Sequence, residues 1–190
     1  MQEYIIEAKK RTGLGKKETV ALRNEKRVPC VLYGAKEPIH FHAEEMVMEK
    51  LVNTPNVYIA NINIDGKVEK AILQDMQFHA LTDKILHADF LSVFADKAVS
   101  VKLPVKLEGT PEGVLQGGKL QMKMRKLKVR GITEKLPEFL TIDITNVGLG
   151  QSVKIEKLSF DGVEILEPKN AVVCAVKLTR SSVKTATDGK

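Results

Sequence analysis

The stretch ILHADF, residues 85 to 90, sets His87 and Asp89 two positions apart in an otherwise apolar run. In an extended strand that spacing puts both on one face and Leu86, Ala88 and Phe90 on the other. Burying such groups unpaired would cost several kcal/mol, about 2–7 for an uncharged polar group and more for a charge. The polar face must therefore meet water, another polar element, a metal, a substrate or a partner. His40 and His42 in HFH share a strand face in the same way, and with His79, His87 and Asp89 they offer ligand types that a metal accepts. The same groups serve RNA, whose minor groove displays both donors and acceptors. An aspartate there needs a donor such as a guanine amino group or a 2′-hydroxyl, because it otherwise repels phosphate. A purely structural pair, with Asp89 orienting His87, is a further reading.

The elements that must position these residues are mostly strands. EYIIEA reads as a first strand, followed by a basic glycine-containing loop over KKRTGLGKKE. TVALRNEK reads as a short helix with Thr19 as its N-cap. VPCVLYG is a buried strand in which Pro29 predicts an edge or strand-start position. HFHAEEMVMEKLV changes from strand to helix, with Val47 and Leu51 on one face. Asp65-Gly66 is a type I′ hairpin signal between two alternating runs, the first with Tyr58, Ala60, Ile62 and Ile64 on one face. HALTDK then breaks the pattern before ILHADFLSVF.

Beyond FADKA the sequence is a succession of short alternating runs bounded by Gly, Pro, Asp or Asn, which predicts an all-β region. In KLQMKMRKLKVR the apolar parity changes between Met124 and Leu127, so a β-bulge or bend is expected near Arg125-Lys126. The polar positions of this run, from Lys119 to Arg130, are nearly all basic. A solvated face and a contact with RNA phosphates are both open. The fold class is thus mainly β with short helices, an α+β chain, divided into residues 1–94, 95–179 and a flexible tail at 180–190.

The 190 residues carry a net charge of +6. Residues 1–94 hold 13 Lys/Arg and 13 Asp/Glu, while 95–190 hold 17 and 11. Within the neutral half, Lys9 to Arg27 carries eight basic residues against two acidic ones, a directed contact surface on a neutral body. The two cysteines, Cys30 and Cys174, lie in apolar runs and read as core residues of a reducing, cytoplasmic compartment. The start shows no signal-peptide pattern, and no apolar run approaches the 18–20 residues or so that span a bilayer, so no membrane partner is expected. P-loop, G-x-G-x-x-G, G-x-S-x-G and H-E-x-x-H patterns are absent from the sequence, which argues against an enzyme. A His/Asp metal-binding protein and a protein-binding β module remain as alternatives to nucleic-acid binding.

Three linked stretches carry a resemblance. ALRNEKRVPCVLYG is similar to L-R-x-x-G-x-[IV]-P-[AG]-[VL]-[IVL]-Y-G, and LQDMQFHALTDKILHADF to Q-D-[VI]-Q-x-H-P…[IL]-x-H-[VI]-D-F. LPVKLEGTPEGVLQGGKL is similar to P-[VL]-x-[FL]-x-G-x-[AP]-x-G-V-x-x-G-G-x-L. In this order, over nearly the whole chain, they resemble the long CTC (general-stress) form of the ribosomal protein twenty-five family of the bacterial large subunit. The resemblance implies an N-terminal β-barrel with short helices that binds 5S ribosomal RNA at its loop E region. It also implies a C-terminal β-rich domain reaching other large-subunit RNA and proteins, a monomer within the ribosome, and no cofactor. Position by position it places RNA contacts on Arg11, Arg23, Tyr33, His87 and Asp89, with Lys16 and Thr19 touching the backbone from the loop and cap region. Gln74, Gln77 and His79 match the motif before the last strand of this domain. Arg11, Lys16 and Arg23 would neutralise phosphates, while His87 and Asp89 read sugar and base edges. The chain departs from the pattern at Ala80, where proline is frequent, at Lys26, where glycine is frequent, and at Val20, where some members carry arginine.

Overall fold

The computed structural model describes residues 1–35, 37–94 and 96–179. The tail expected at 180–190 lies outside the described residues. The chain is mainly β with three short α-helices, and it forms two compact units: residues 1–99 with 132–134, and residues 100–131 with the chain from 135 onward.

The first unit contains β1 (Gln2–Lys10), α1 (Lys16–Asn24), β2 (Arg27–Tyr33), β3 (Ile39–Glu44), α2 (Glu45–Val52), β4 (Tyr58–Ile64), β5 (Lys67–Phe78) and β6 (Ile85–Ser92). Its six strands form a closed barrel in the order β1-β3-β2-β6-β5-β4. Closure comes from parallel pairing of β1 with β4, from Gln2 opposite Tyr58 to Ala8 opposite Ile64. Each strand sends a fully buried side chain inward: Ile6, Cys30, Phe41, Ile62, Ala71 and Phe90. The Phe41 and Phe90 rings meet at 5.8 Å with a 45° tilt. Met48 and Leu51 of α2 add to this core, with Val47 packed against it. Burying a side chain of this size stabilises the fold by about 1.5–3 kcal/mol, so the barrel interior dominates its energetics. Desolvation drives the Cys30 thiol far above its usual pKa, as fits a core residue.

The hairpin forms as its sequence predicts. Asp65 (φ 50°) and Gly66 (φ 91°) both take positive φ, the requirement of a type I′ turn. Three local expectations need correction. First, α1 begins three residues before Thr19, at Lys16, with Gly15 as its N-cap. The Thr19 hydroxyl instead donates back to the Gly15 and Lys16 carbonyls, at 3.3 and 2.9 Å. Second, β1 runs on to Lys10, so the basic connection to the helix is short. Third, Pro29 does not mark an edge: β2 lies between β3 and β6. Nor is it at the strand start: Pro29 is the third residue of β2, opposite His42, and it precedes by one residue the parallel pairing with β6 that starts at Cys30, so no ladder bond to β6 is required of it.

The second unit holds most of β7 (Ala98–Glu108), then α3 (Glu112–Leu115), β8 (Lys119–Met122), β9 (Lys126–Ile132), β10 (Leu140–Asp143), β11 (Ser152–Lys154), β12 (Val163–Ile165) and β13 (Val172–Lys177). One sheet has the order β10-β7-β9-β12 and another the order β11-β13-β8. The region is not purely β, because Pro111 ends the extended chain and α3 follows as one helical turn. The parity change at Met124–Leu127 is a bend over Lys123–Arg125, and it does more than a bulge would: β8 pairs in one sheet and β9 in the other.

Candidate nucleic-acid interface

The barrel core needs only alternate residues of each strand, which leaves the intervening ones to form an outer face. On β6, Ala88 and Phe90 are fully buried, whereas His87 and Asp89 point outward with side chains 25% and 36% exposed. His87 Nδ1 lies 2.8 Å from Asp89 Oδ1, so the ring N–H is donated to the carboxylate and the other ring nitrogen stays available. Across the ladder, Gln77 of β5 stands opposite His87 and Asp75 opposite Asp89. On the other flank, Val31 of β2 stands opposite Asp89 and Tyr33 opposite Leu91. Tyr33 is partly exposed. Burial first, then the nearby Asp89 and Asp75 charges, push its phenol above the usual pKa, so it remains a hydroxyl donor.

This alignment depends on an irregularity in β5. The register with β6 shifts between Leu73 and Asp75. Leu73 before the shift and Met76 after it both pack against the core, so Asp75 and Gln77 emerge on the outside. Gln74 sits at the shift itself. His79 lies in the following turn, where its Nδ1 accepts from the Leu81 amide at 3.4 Å and lies 3.0 Å from the Thr82 hydroxyl. The turn closes through His79 N–H to Lys84 O at 2.8 Å, and it forms with alanine at position 80.

A basic flank accompanies this mixed-sign centre. The Arg11 amide donates to His40 O at 2.9 Å, and its side chain lines a cleft of about 220 Å³ with His42 and residues of α1. The Nε and Nη2 atoms of Arg11 are buried without a hydrogen-bond partner among the described residues, a demand that water or a ligand must meet. The Arg27 Nη1 group donates to His42 Nδ1 at 3.3 Å. Desolvation, then the charges of Arg27, Arg11 and Lys9, hold the His42 pKa below its usual value and keep it neutral. Such surroundings repel a cation, which disfavours the His40/His42 pair as metal ligands. Among the described residues, no three His, Cys, Asp or Glu side chains converge as a metal would need.

Lys16 is exposed at the start of α1, and Thr19 is partly buried with its hydroxyl committed to the helix. Arg23 has a structural task. Its Nε and Nη2 groups donate to the Leu86 carbonyl at 3.1 and 2.9 Å, tying α1 to the strand immediately before His87. Asp75 joins the face without having been expected there, while Arg27 and His42, read in the sequence as part of the basic segment and as a strand-face histidine, are bonded to each other. For Asp75 the signal was present, since the apolar positions Ala71, Leu73, Met76 and Phe78 change parity.

Comparison with known proteins places both units. Residues 6–90 match the model of the ribosomal L25p family, and residues 98–180 match that of the ribosomal protein TL5 C-terminal domain. The large ribosomal subunit protein bL25 of Phocaeicola vulgatus is 46% identical over 189 residues, covering 96% of each chain. That of Azobacteroides pseudotrichonymphae is 46% identical over 186 residues, covering 97% of this chain and 98% of the other. That of Porphyromonas gingivalis is 41% identical over 184 residues, covering 96% of each. The chain belongs to the ribosomal L25p family, in the form that carries a TL5-type C-terminal domain. The family is one of structural ribosomal proteins rather than enzymes.

Proposed function

We propose that this chain is a structural protein of the large ribosomal subunit, located with the ribosome in the cytoplasm, and that it binds 5S ribosomal RNA through the outer face of its barrel. The observation that carries the reading is the outward His87–Asp89 pair, held at 2.8 Å on a strand whose opposite face fills the core. A carboxylate kept at the surface between Val31 and Asp75 gains little for the fold. In a minor groove it accepts from a guanine amino group or a 2′-hydroxyl, the second ring nitrogen of His87 accepts likewise, and Gln77 and Tyr33 supply donors. Arg11 and Lys16 serve the flanking phosphates, and Arg23 acts chiefly by holding α1 against β6. Residues 1–94 form the 5S-binding part, and residues 95–179 serve other contacts in the subunit.

Filter binding of the full chain to 5S RNA tests the reading. Asp89→Ala or His87→Ala should each weaken binding by about 1–3 kcal/mol, the scale of one specific polar contact. Melting temperatures should stay at the wild-type value. Unchanged affinity in both variants would sink the proposed site.

A further inference from the structure

The basic run between Lys119 and Arg130 divides at the sheet-switching bend, and its second part forms a surface of its own. In β9, Leu127, Val129 and Gly131 are buried while Lys126, Lys128 and Arg130 are exposed. On the neighbouring β7, Val101 and Leu103 are buried and Lys102 is exposed between them. Four cations therefore share the outer face of two adjacent strands. Cations two residues apart along a strand are separated by about 6.6–6.8 Å, and neighbouring strands lie about 4.8 Å apart. None of the four takes part in an ion pair among the described residues. Among the described residues, acidic groups stand at the margins: Glu164 opposite Arg130, Glu108 paired with Lys106 at 3.8 Å, and Asp143 beside Glu108. Cations gathered on one face repel one another, so this concentration of charge opposes the fold when nothing covers it.

We propose that this face is a second RNA-binding surface, separate from the barrel site, and that it takes the phosphate backbone of helical RNA. Charge complementarity selects a polyanion. The outward positions Ser100, Lys102, Pro104, Lys126, Lys128 and Arg130 carry no aromatic side chain, and the exposed Phe139 ring at the margin is taken up by Lys106, whose Nζ lies 5.1 Å from its centroid, so the run of cations itself offers no platform for stacking the bases of a single strand. Amide and carboxylate groups that could read base edges do not stand between the four cations; Glu164 and Glu108 lie beside them at the margins. Recognition is by charge and by the regular spacing of phosphates, and is independent of sequence.

The test uses the full chain and a 20-base-pair RNA duplex unrelated to ribosomal RNA, followed by fluorescence anisotropy over a salt series. Combining Lys102→Gln, Lys126→Gln, Lys128→Gln and Arg130→Gln should weaken binding by roughly tenfold or more at moderate salt. It should also reduce the log–log salt slope by about 0.9 for each phosphate that is no longer neutralised. Asp89→Ala should leave duplex binding unchanged, which separates this face from the 5S site. Glu164→Gln should tighten duplex binding by removing the anion beside Arg130. The fourfold variant should melt no lower than wild type, because it relieves repulsion. Unaltered affinity and slope would overturn the proposal, as would a lower melting temperature, which would assign the cations a structural task. Equal competition by polyglutamate at matched charge would overturn it in favour of an acidic protein partner.

Discussion

The outer faces of β6 and β9 begin from the same alternation and end with different chemistry. On β6 the polar residues are few and of opposite character, bonded to one another and flanked by Gln77, Asp75 and Tyr33. On β9 they are three cations with no bonded partner among the described residues and a fourth cation on the next strand. A face of the first kind recognises through direction, since each donor or acceptor fits only one arrangement of the groove. A face of the second kind recognises through density of charge, where one cation can replace another. Period-2 patterning settles which residues face outward in both, and the chemical variety of those residues decides between reading and holding.

The largest expected effect separates either face from the core behind it. Phe90→Ala, one residue from Asp89, should cost about 3–5 kcal/mol in chemical denaturation, since it removes a fully buried ring packed on Phe41. Arg23→Ala should come next, at about 1.5–3 kcal/mol, the range for hydrogen bonds made by a charged group. Its effect should appear in stability as well as in RNA affinity, unlike that of Lys16→Ala, which should change affinity and salt slope only.

Additivity sharpens the comparison further. His87 and Asp89 share one bond, so a double-mutant cycle on 5S binding should show coupling of about 0.5–3 kcal/mol. Lys128→Gln and Arg130→Gln should add on duplex RNA, each lowering the salt slope by a similar step. Additive behaviour at β6, or strong coupling at β9, would erase the distinction.

Smaller effects lie at the edges of the barrel site. Lys26 holds φ 58° just after α1, where a side chain costs about 1–2 kcal/mol in steric strain and glycine costs none. Lys26→Gly should raise stability by roughly 0.5–1 kcal/mol once the greater freedom of glycine in the unfolded chain is counted. This conformation explains the departure at that position: the site favours glycine, and the chain tolerates lysine at a cost. His42 gives a pH signature. Its folded pKa is depressed below 6.5, so its contribution is intact above that value and lost as pH falls through the folded pKa. Melting measured from pH 7.5 down to 5 should show a larger loss for wild type than for His42→Gln.

How far the fold was legible depended on whether each element announced itself locally. The hairpin at Asp65-Gly66 did, because both residue types accept positive φ. The start of α1 did not: Lys16 and Lys17 oppose the helix dipole, Gly15 offers no capping side chain, and no residue of the helix is buried. The parity change after Met124 was readable as a bend, but a change of sheet depends on where β13 lies, some fifty residues later in sequence. The His87–Asp89 face was legible as a face. Among its neighbours, Asp75 was signalled by the parity change that accompanies the shifted register of β5, whereas Arg27 and His42 meet only once β2 and β3 pair.

The parallel closure of the barrel also bears on how the chain is made. Among the barrel strands β1 leaves the ribosome first, yet both its neighbours come later: β3 from Ile39 and β4 from Tyr58. At synthesis rates of about 5–20 residues per second, its parallel edge waits roughly 3–10 s for a partner. During that interval Glu3, Glu7, Lys9 and Lys10 are the residues that discourage β1 from pairing with another nascent chain. The same Glu3 and Glu7 later accept hydrogen bonds from Asn61 and Asn63 of the arriving strand, so the charges that guard the unpaired edge become the latch that fastens it.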